Sequence, residues 1–253
     1  ATLRLCARAT AASPDDPVPA LYLAHLHVER GEIRSAMEAT TRVERILAGI
    51  EEPPSSSYLM LASLYQRSGA VTRAEAAATR AGGHEAARDI LDWARKLRRT
   101  WGLPRGAISG DIEYLVAEKL REFDQHLADD QYGPAAYIVE RLEREFPGEA
   151  FTDVAKCRLL TARGQMDEAI PHCRDAVSRN PSAAMAHYVI GVWESSQRRY
   201  RKANDHLSKA ISLTPSVKGF WRALATVYEE SGSGEAYRSL ARDYRERFGE
   251  VLR

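Results

Sequence analysis

Residues Ala184–Pro215, AMAHYVIGVWESSQRRYRKANDHLSKAISLTP, hold two apolar stripes of helical spacing separated by a polar break. His187, Ile190, Gly191 and Glu194 fall on one face of a first helix. A turn follows at Gln197–Arg198, and Ala203, Leu207 and Ala210 then share one face of a second helix. Gly191 and Ala203 are small where two antiparallel helices would cross closely, and Leu207 is large where a gap must be filled. Pro215 stops the unit because it has no backbone donor with which to continue the helix.

Working outward, the same landmarks recur with one period. Pro147, Pro181 and Pro215 lie 34 residues apart, as do Ala135, Ala169 and Ala203, and the turn positions Gly164, Arg198 and Gly232. Three landmarks in phase mark a tandem repeat. The unit resembles the tetratricopeptide repeat, a helix–turn–helix of about 34 residues. The resemblance implies an all-α, right-handed superhelical solenoid of antiparallel helix pairs, interrupted here by an atypical central helix and linker.

The preceding unit, Ala150–Pro181, repeats the pattern with Leu160, Gly164, Ala169 and Ala176, but puts Cys157 and Cys173 where a small and a large residue are expected. The following unit carries Trp221, Leu224, Ala225, Tyr228 and Gly232. Its Arg-rich second helix, Gly234–Phe248, reads as one residue short in the turn and as a polar cap. Before Ala150 a looser unit pairs Leu120, Phe123 and Leu127 with Tyr132, Ala135, Val139 and Leu142, with one residue missing between the stripes.

The N-terminal half holds two more units. Leu23, Ala24, Gly31 and Ala36 mark the first, and Tyr58, Leu61, Ala62, Tyr65, Gly69, Ala74 and Ala78 the second. Cys6, Ala9 and Pro14 then fall where a second helix and its stop belong. The register thus opens inside a repeat, as in a fragment of a longer protein or behind a solvated opening helix. Between the halves, His84–Thr100 is an amphipathic helix with Ile90, Leu91 and Leu97 apolar, followed by the glycine-rich stretch Gly102–Gly110. The expected division is 1–105, N-terminal repeats with the linking helix, and 106–253, the C-terminal array with its capping helix.

Chemistry is scarce. There is no phosphate-cradling glycine loop, no His-Glu-x-x-His and no nucleophile–base signature in a recognisable context. The chain is therefore read as non-enzymatic, with no cofactor and no metal site. His187 and His206 are read as satisfied core or rim residues. Cys157 and Cys173 are expected as unbonded apolar core residues; a disulfide would need their Cα atoms within about 7 Å. With 36 basic and 35 acidic residues the net charge is +1, which argues against a nucleic-acid partner. The basic cluster Arg95, Lys96, Arg98, Arg99 and Arg105 around Trp93 and Trp101 is read as the solvated face of the linking helix. No apolar run reaches the roughly 20 residues that cross a bilayer, and Arg4, Cys6 and Arg8 interrupt any signal-peptide core. A soluble, cytoplasmic placement is favoured.

The resemblance also implies where a partner would sit. The free face of each first helix lines a concave trough. In the C-terminal array these positions hold Phe151, Val154, Arg158 and Thr161, then Met185, Tyr188, Val192 and Ser195, then Gly219, Arg222, Thr226 and Glu229. Phe151, Val154, Met185, Tyr188 and Val192 form an apolar surface, with Arg158 and Arg222 placed to pair with a ligand's carboxylates. The family's carboxylate-clamp residues are not matched, because Tyr188, Val192, Gly219 and Ala223 occupy those sites. The leading reading is a scaffold or adaptor that binds a protein or peptide in the trough. A competing one has the linking helix, or the terminal helix, fold into the trough and fill it. Two others are a regulatory or targeting segment of a larger enzyme and a self-associating structural protein.

Overall fold

The structure is a computed structural model that describes residues 2–104 and 110–252. The boundary expected near residue 105, and Arg105 of the basic cluster, lie outside the described residues. Among the described residues there are fourteen helices and no strand. In order they are α1 (Thr2–Ala12), α2 (Pro17–Glu29), α3 (Ile33–Ala48), α4 (Ser55–Ser68), α5 (Val71–Ala81), α6 (Glu85–Trp101) and α7 (Gly110–Ala128). There follow α8 (Tyr132–Glu145), α9 (Ala150–Ala162), α10 (Met166–Arg179), α11 (Ala184–Ser196), α12 (Tyr200–Leu213), α13 (Lys218–Glu230) and α14 (Gly234–Phe248). Two compact units result. One takes α1–α5, α6 up to Arg95 and α7 up to Glu118; the other takes Lys96–Pro104 and everything from Lys119 onward.

In the first unit, α2/α3 and α4/α5 are helix pairs around a core that includes Ala24, Val43, Leu47, Leu61, Ala62, Tyr65, Ala74 and Ala78. Small residues at the crossings let the backbones approach, and the large side chains fill between pairs. Helix α1 packs on α2 where a second helix would stand, and Arg42 ties it down by donating to the Thr10 carbonyl at 3.0 Å. Ala87 and Ile90 of α6 join the same core, so the first half of α6 serves as one more first helix of the stack.

The second unit shows how the 34-residue period is enforced. Asp130, Arg198, Gly164 and Gly232 all have positive φ, between 55° and 76°. Each sits at the turn inside a helix pair, in phase with the others. The next residue's amide then reaches back five residues to the helix end: Gln131 to His126, Gln165 to Leu160, Arg199 to Glu194 and Ser233 to Tyr228, all at 2.8–2.9 Å. This left-handed cap satisfies carbonyls that a helix end leaves open. It also corrects two expectations. No residue is missing between α7 and α8, because Asp130 takes the glycine's place and accepts from the Tyr132 hydroxyl at 2.8 Å. The last turn is full length too; what shifts is the large core residue, which stands one position early as Leu240.

Cys157 and Cys173 form a disulfide, against the expectation of two unbonded thiols. The cause lies in the crossing of α9 and α10. Their Cα atoms are 5.2 Å apart, inside the range a disulfide spans. One period later the same crossing is made by Gly191 and Leu207, where a Cβ on Gly191 would meet Leu207 Cγ at 2.6 Å. The two repeats solve one close approach differently, by a covalent bond and by a missing side chain. Cys6, on α1, remains a free thiol.

At the far end, α14 packs on α13 through Trp221, Tyr244 and Phe248, whose rings meet in pairs at 4.6–6.1 Å. Leu240 and Leu252 are buried with them, while Arg238, Arg242, Arg245 and Arg247 face solvent.

Candidate functional site

The free faces of α9, α11 and α13 meet different fates in the second unit. On α9, Phe151 and Val154 are fully buried, at 0% exposure. Phe151 packs edge-on against Phe146. Arg158 is not held out for a ligand: its guanidinium bonds Asp124 at 2.5 Å and stacks 4.6 Å from the Trp101 ring centre. Trp101, the last residue of α6, is itself 1% exposed and meets Phe123 edge-on at 5.7 Å.

The residues around Trp101 are bound along the same side of this unit. The Gly102 carbonyl accepts from Asn180 Nδ2 at 2.9 Å, and Arg99 donates to the Leu213 carbonyl at 3.2 Å. Gly102 has φ 68°, and a Cβ there would lie 3.0 Å from Ala183 Cβ and 3.5 Å from Ala150 Cβ. Leu103 is buried, and its amide returns to the Arg98 carbonyl at 2.9 Å, the same five-residue cap that closes the repeat turns. Arg98 is buried as well and donates to the Pro104 carbonyl. Within the unit, then, the end of the linking helix lies on α7, α9 and the loop before α11.

The rest of the face is open. A cleft of about 900 Å³ separates α11 from α13, lined by Tyr188, Val192 and Ser195 on one side and Gly219, Arg222, Ala223, Thr226 and Glu230 on the other. Arg198, in the turn after α11, and Tyr200, the first residue of α12, also line it. The Tyr188 ring stacks on Phe220 at 5.1 Å, and burial pushes its phenol pKa up, so it stays a neutral donor. Ser195 donates to Glu230 Oε2 across the cleft at 3.2 Å. Arg222 is exposed at the rim.

Of the seven residues singled out from sequence, the structure brings Tyr188, Val192 and Arg222 together in this cleft. Met185 is half-buried against Ala184, Ala210 and Phe220, while Phe151, Val154 and Arg158 belong to the covered stretch. Sequence reasoning named Glu229 where Glu230 lines the cleft, and it treated Arg198 as a turn residue only. The (i, i+4) step from Thr226 to Glu230 is the signal that would have found the former. The gripping pair Asp124 and Asn180 was missed altogether.

Elsewhere in the unit, His187 and His206 face each other with Nδ1 atoms 3.1 Å apart, and His187 Nε2 lies 3.2 Å from the Pro181 carbonyl. With Nε2–H donating to that carbonyl, Nδ1 of a neutral His187 accepts from His206. Among the described residues, no group of three or more His, Cys, Asp or Glu is arranged to hold a metal ion. None of the described helices is long and apolar enough to cross a membrane. In the first unit a smaller cleft of about 470 Å³ runs between Leu59, Ser63 and Gln66 of α4 and Ala86, Asp89 and Ile90 of α6.

No protein-family model matches the sequence, and no curated protein does. Solved structures do. The crystal structure of the APC/C hetero-tetramer Cut9–Hcn1 matches with a TM-score of 0.50 at 13% identity, over 99% of this chain and 44% of the matched one. A human IFIT1 dimer with PPP-AAAA matches with a TM-score of 0.47 at 11% identity, over 90% and 67%. The TPR2AB domain of yeast Sti1 in its pHSP90 complex matches with a TM-score of 0.38 at 15% identity, over 91% and 90%. This chain thus spans less than half the length of the Cut9–Hcn1 chain. At such identities the likeness is one of fold, and the fold is the tetratricopeptide-type helical repeat.

Proposed function

We propose that the chain is a non-enzymatic scaffold or adaptor that holds a protein or peptide segment in the cleft between α11 and α13. The observation that carries this reading is the open cleft itself, where Tyr188 and Val192, each packed by one side on the array's core, stand beside the exposed Arg222. An apolar patch of Tyr188, Val192 and Ala223, with Arg198 and Arg222 beside it and Glu230 tied to Ser195, suits a segment that buries one or two apolar side chains and carries a carboxylate. The test compares the chain with a Val192→Glu, Arg222→Glu variant of unchanged helical circular dichroism. Each is used to capture proteins from a native lysate, and each captured protein is then purified and titrated. A protein that binds the parent and loses at least about tenfold in affinity for the variant supports the site. Equal binding to both places the interaction elsewhere.

A second reading, self-association, has one observation of its own. Leu5 on α1 and Val18 and Tyr22 on α2 are exposed apolar side chains of the first unit. Sedimentation at several concentrations decides it: a mass that rises with concentration and falls back in a Leu5→Glu, Tyr22→Glu variant supports it, and a constant monomer mass removes it.

A further inference from the structure

Residues 98–104, Arg-Arg-Thr-Trp-Gly-Leu-Pro, are held in the way a bound peptide is held. They stand outside the 34-residue repeat, yet the array grips them through groups that are otherwise unexplained. Asp124 fixes the Arg158 guanidinium, whose central carbon lies over the Trp101 ring. Asn180 reads a backbone carbonyl, that of Gly102. The Gly102 position disfavours a Cβ, because it would crowd Ala183 Cβ at 3.0 Å and because the backbone φ is positive. Leu103 is buried beside it. Recognition therefore asks for an aromatic ring, then a residue without a side chain, then an aliphatic one, ending a helix.

We propose that this stretch, formed by Phe123, Asp124, Arg158, Asn180 and Ala183, is a second peptide site, and that residues 98–104 occupy it as an internal ligand. The partner it fits is a protein segment of the same chemistry, a helix end with an aromatic–glycine–aliphatic sequence. Such a segment competes with one tethered in cis, whose effective concentration is of millimolar order. The site therefore answers only partners that are abundant, or that also hold another part of the chain. The proposal is independent of the α11–α13 cleft.

The test empties the site in the full chain with Trp101→Ala and Leu103→Ala and titrates a fluorescent peptide of sequence RRTWGLP by anisotropy. The peptide is expected to bind the variant at least about tenfold more tightly than the parent, because the parent's site is filled. Replacing the peptide's glycine by alanine, or adding Arg158→Ala to the variant, is expected to remove that gain. A helical variant that fails to bind, or parent and variant that bind alike, overturns the proposal. If the variant loses its helical signal, the parent decides alone: an excess of peptide must speed hydrogen exchange at residues 98–104, and unchanged exchange refutes the site.

Discussion

Replacing Gly191 by alanine sets two physical effects against each other, and the structure decides the sign. In a helix interior, alanine is better than glycine by about 1 kcal/mol, so propensity alone predicts a stabilised chain. The added Cβ, however, would lie 2.6 Å from Leu207 Cγ, 3.0 Å from Leu207 Cδ2 and 3.3 Å from the Ala203 carbonyl. Leu207 is fully buried and wedged between helix pairs, so it has nowhere to swing. Overpacking of this kind costs about 1–3 kcal/mol. The obstacle includes backbone, so the upper part of that range applies, and the net expectation is a loss of about 1–2 kcal/mol. Urea unfolding followed by tryptophan emission measures it, since Trp193 lies on α11 of the crossing and Trp221 on α13, which packs against α12. Truncating the obstacle should rescue the variant. In a Leu207→Val background, Gly191→Ala should cost about 1 kcal/mol less than in the parent. A Gly191→Ala chain as stable as the parent, or more so, would refute the close-crossing argument.

The disulfide is checked by thiol counting: the denatured, unreduced chain should show one thiol, Cys6, and reduction should lower stability by about 3 kcal/mol for its 16-residue separation. Substituting Cys157→Gly with Cys173→Leu copies the neighbouring repeat's crossing and should recover part of what Cys157→Ser with Cys173→Ser loses. At the turns, Gly164→Ala should cost about 1 kcal/mol from its φ of 76° alone, since nothing crowds it, while Arg198→Gly should gain up to about 1 kcal/mol by thermal unfolding. Burial holds the His187 and His206 pKa values below the ordinary 6.5. Below pH 6.5 the unfolded chain therefore binds more protons than the folded one, so this stability is full above 6.5 and falls away as the pH drops. The melting temperature should fall between pH 7 and pH 5.5, and less so in His206→Gln; an equal fall in both would remove the imidazole pair as the cause.

What the sequence disclosed, and what it withheld, follows from the range of each interaction. The period was legible because every repeat turn needs a residue in the left-handed region and the helix pairs keep a small residue, Ala135, Ala169 and Ala203, in phase, and both are local requirements. Asp130 hid because it meets the turn's demand without being glycine. The cysteine pair was placed at its crossing correctly yet read as unbonded, since a spacing of 16 residues on two helices looks the same for a bond and for two thiols. Docking of the linking helix's end on the array stands only as a competing reading of the sequence. Its bonds join residues 78 and 114 positions apart, Gly102 to Asn180 and Arg99 to Leu213, and no periodicity reports on those. A tryptophan at the end of a basic helix, followed directly by glycine, was the one available clue.

The bond between α9 and α10 also sets how the chain answers to tension. Pulled from its two ends, an array of helix pairs lengthens as each pair opens and pays out its residues. The stretch between Cys157 and Cys173 stays out of the load path, because force passes from sulfur to sulfur. A fully extended oxidised chain is therefore about 5 nm shorter than a reduced one, at roughly 3.5 Å per sequestered residue. That repeat can lose its helices but never its closure, and it remains a fixed knot in an otherwise extensible string.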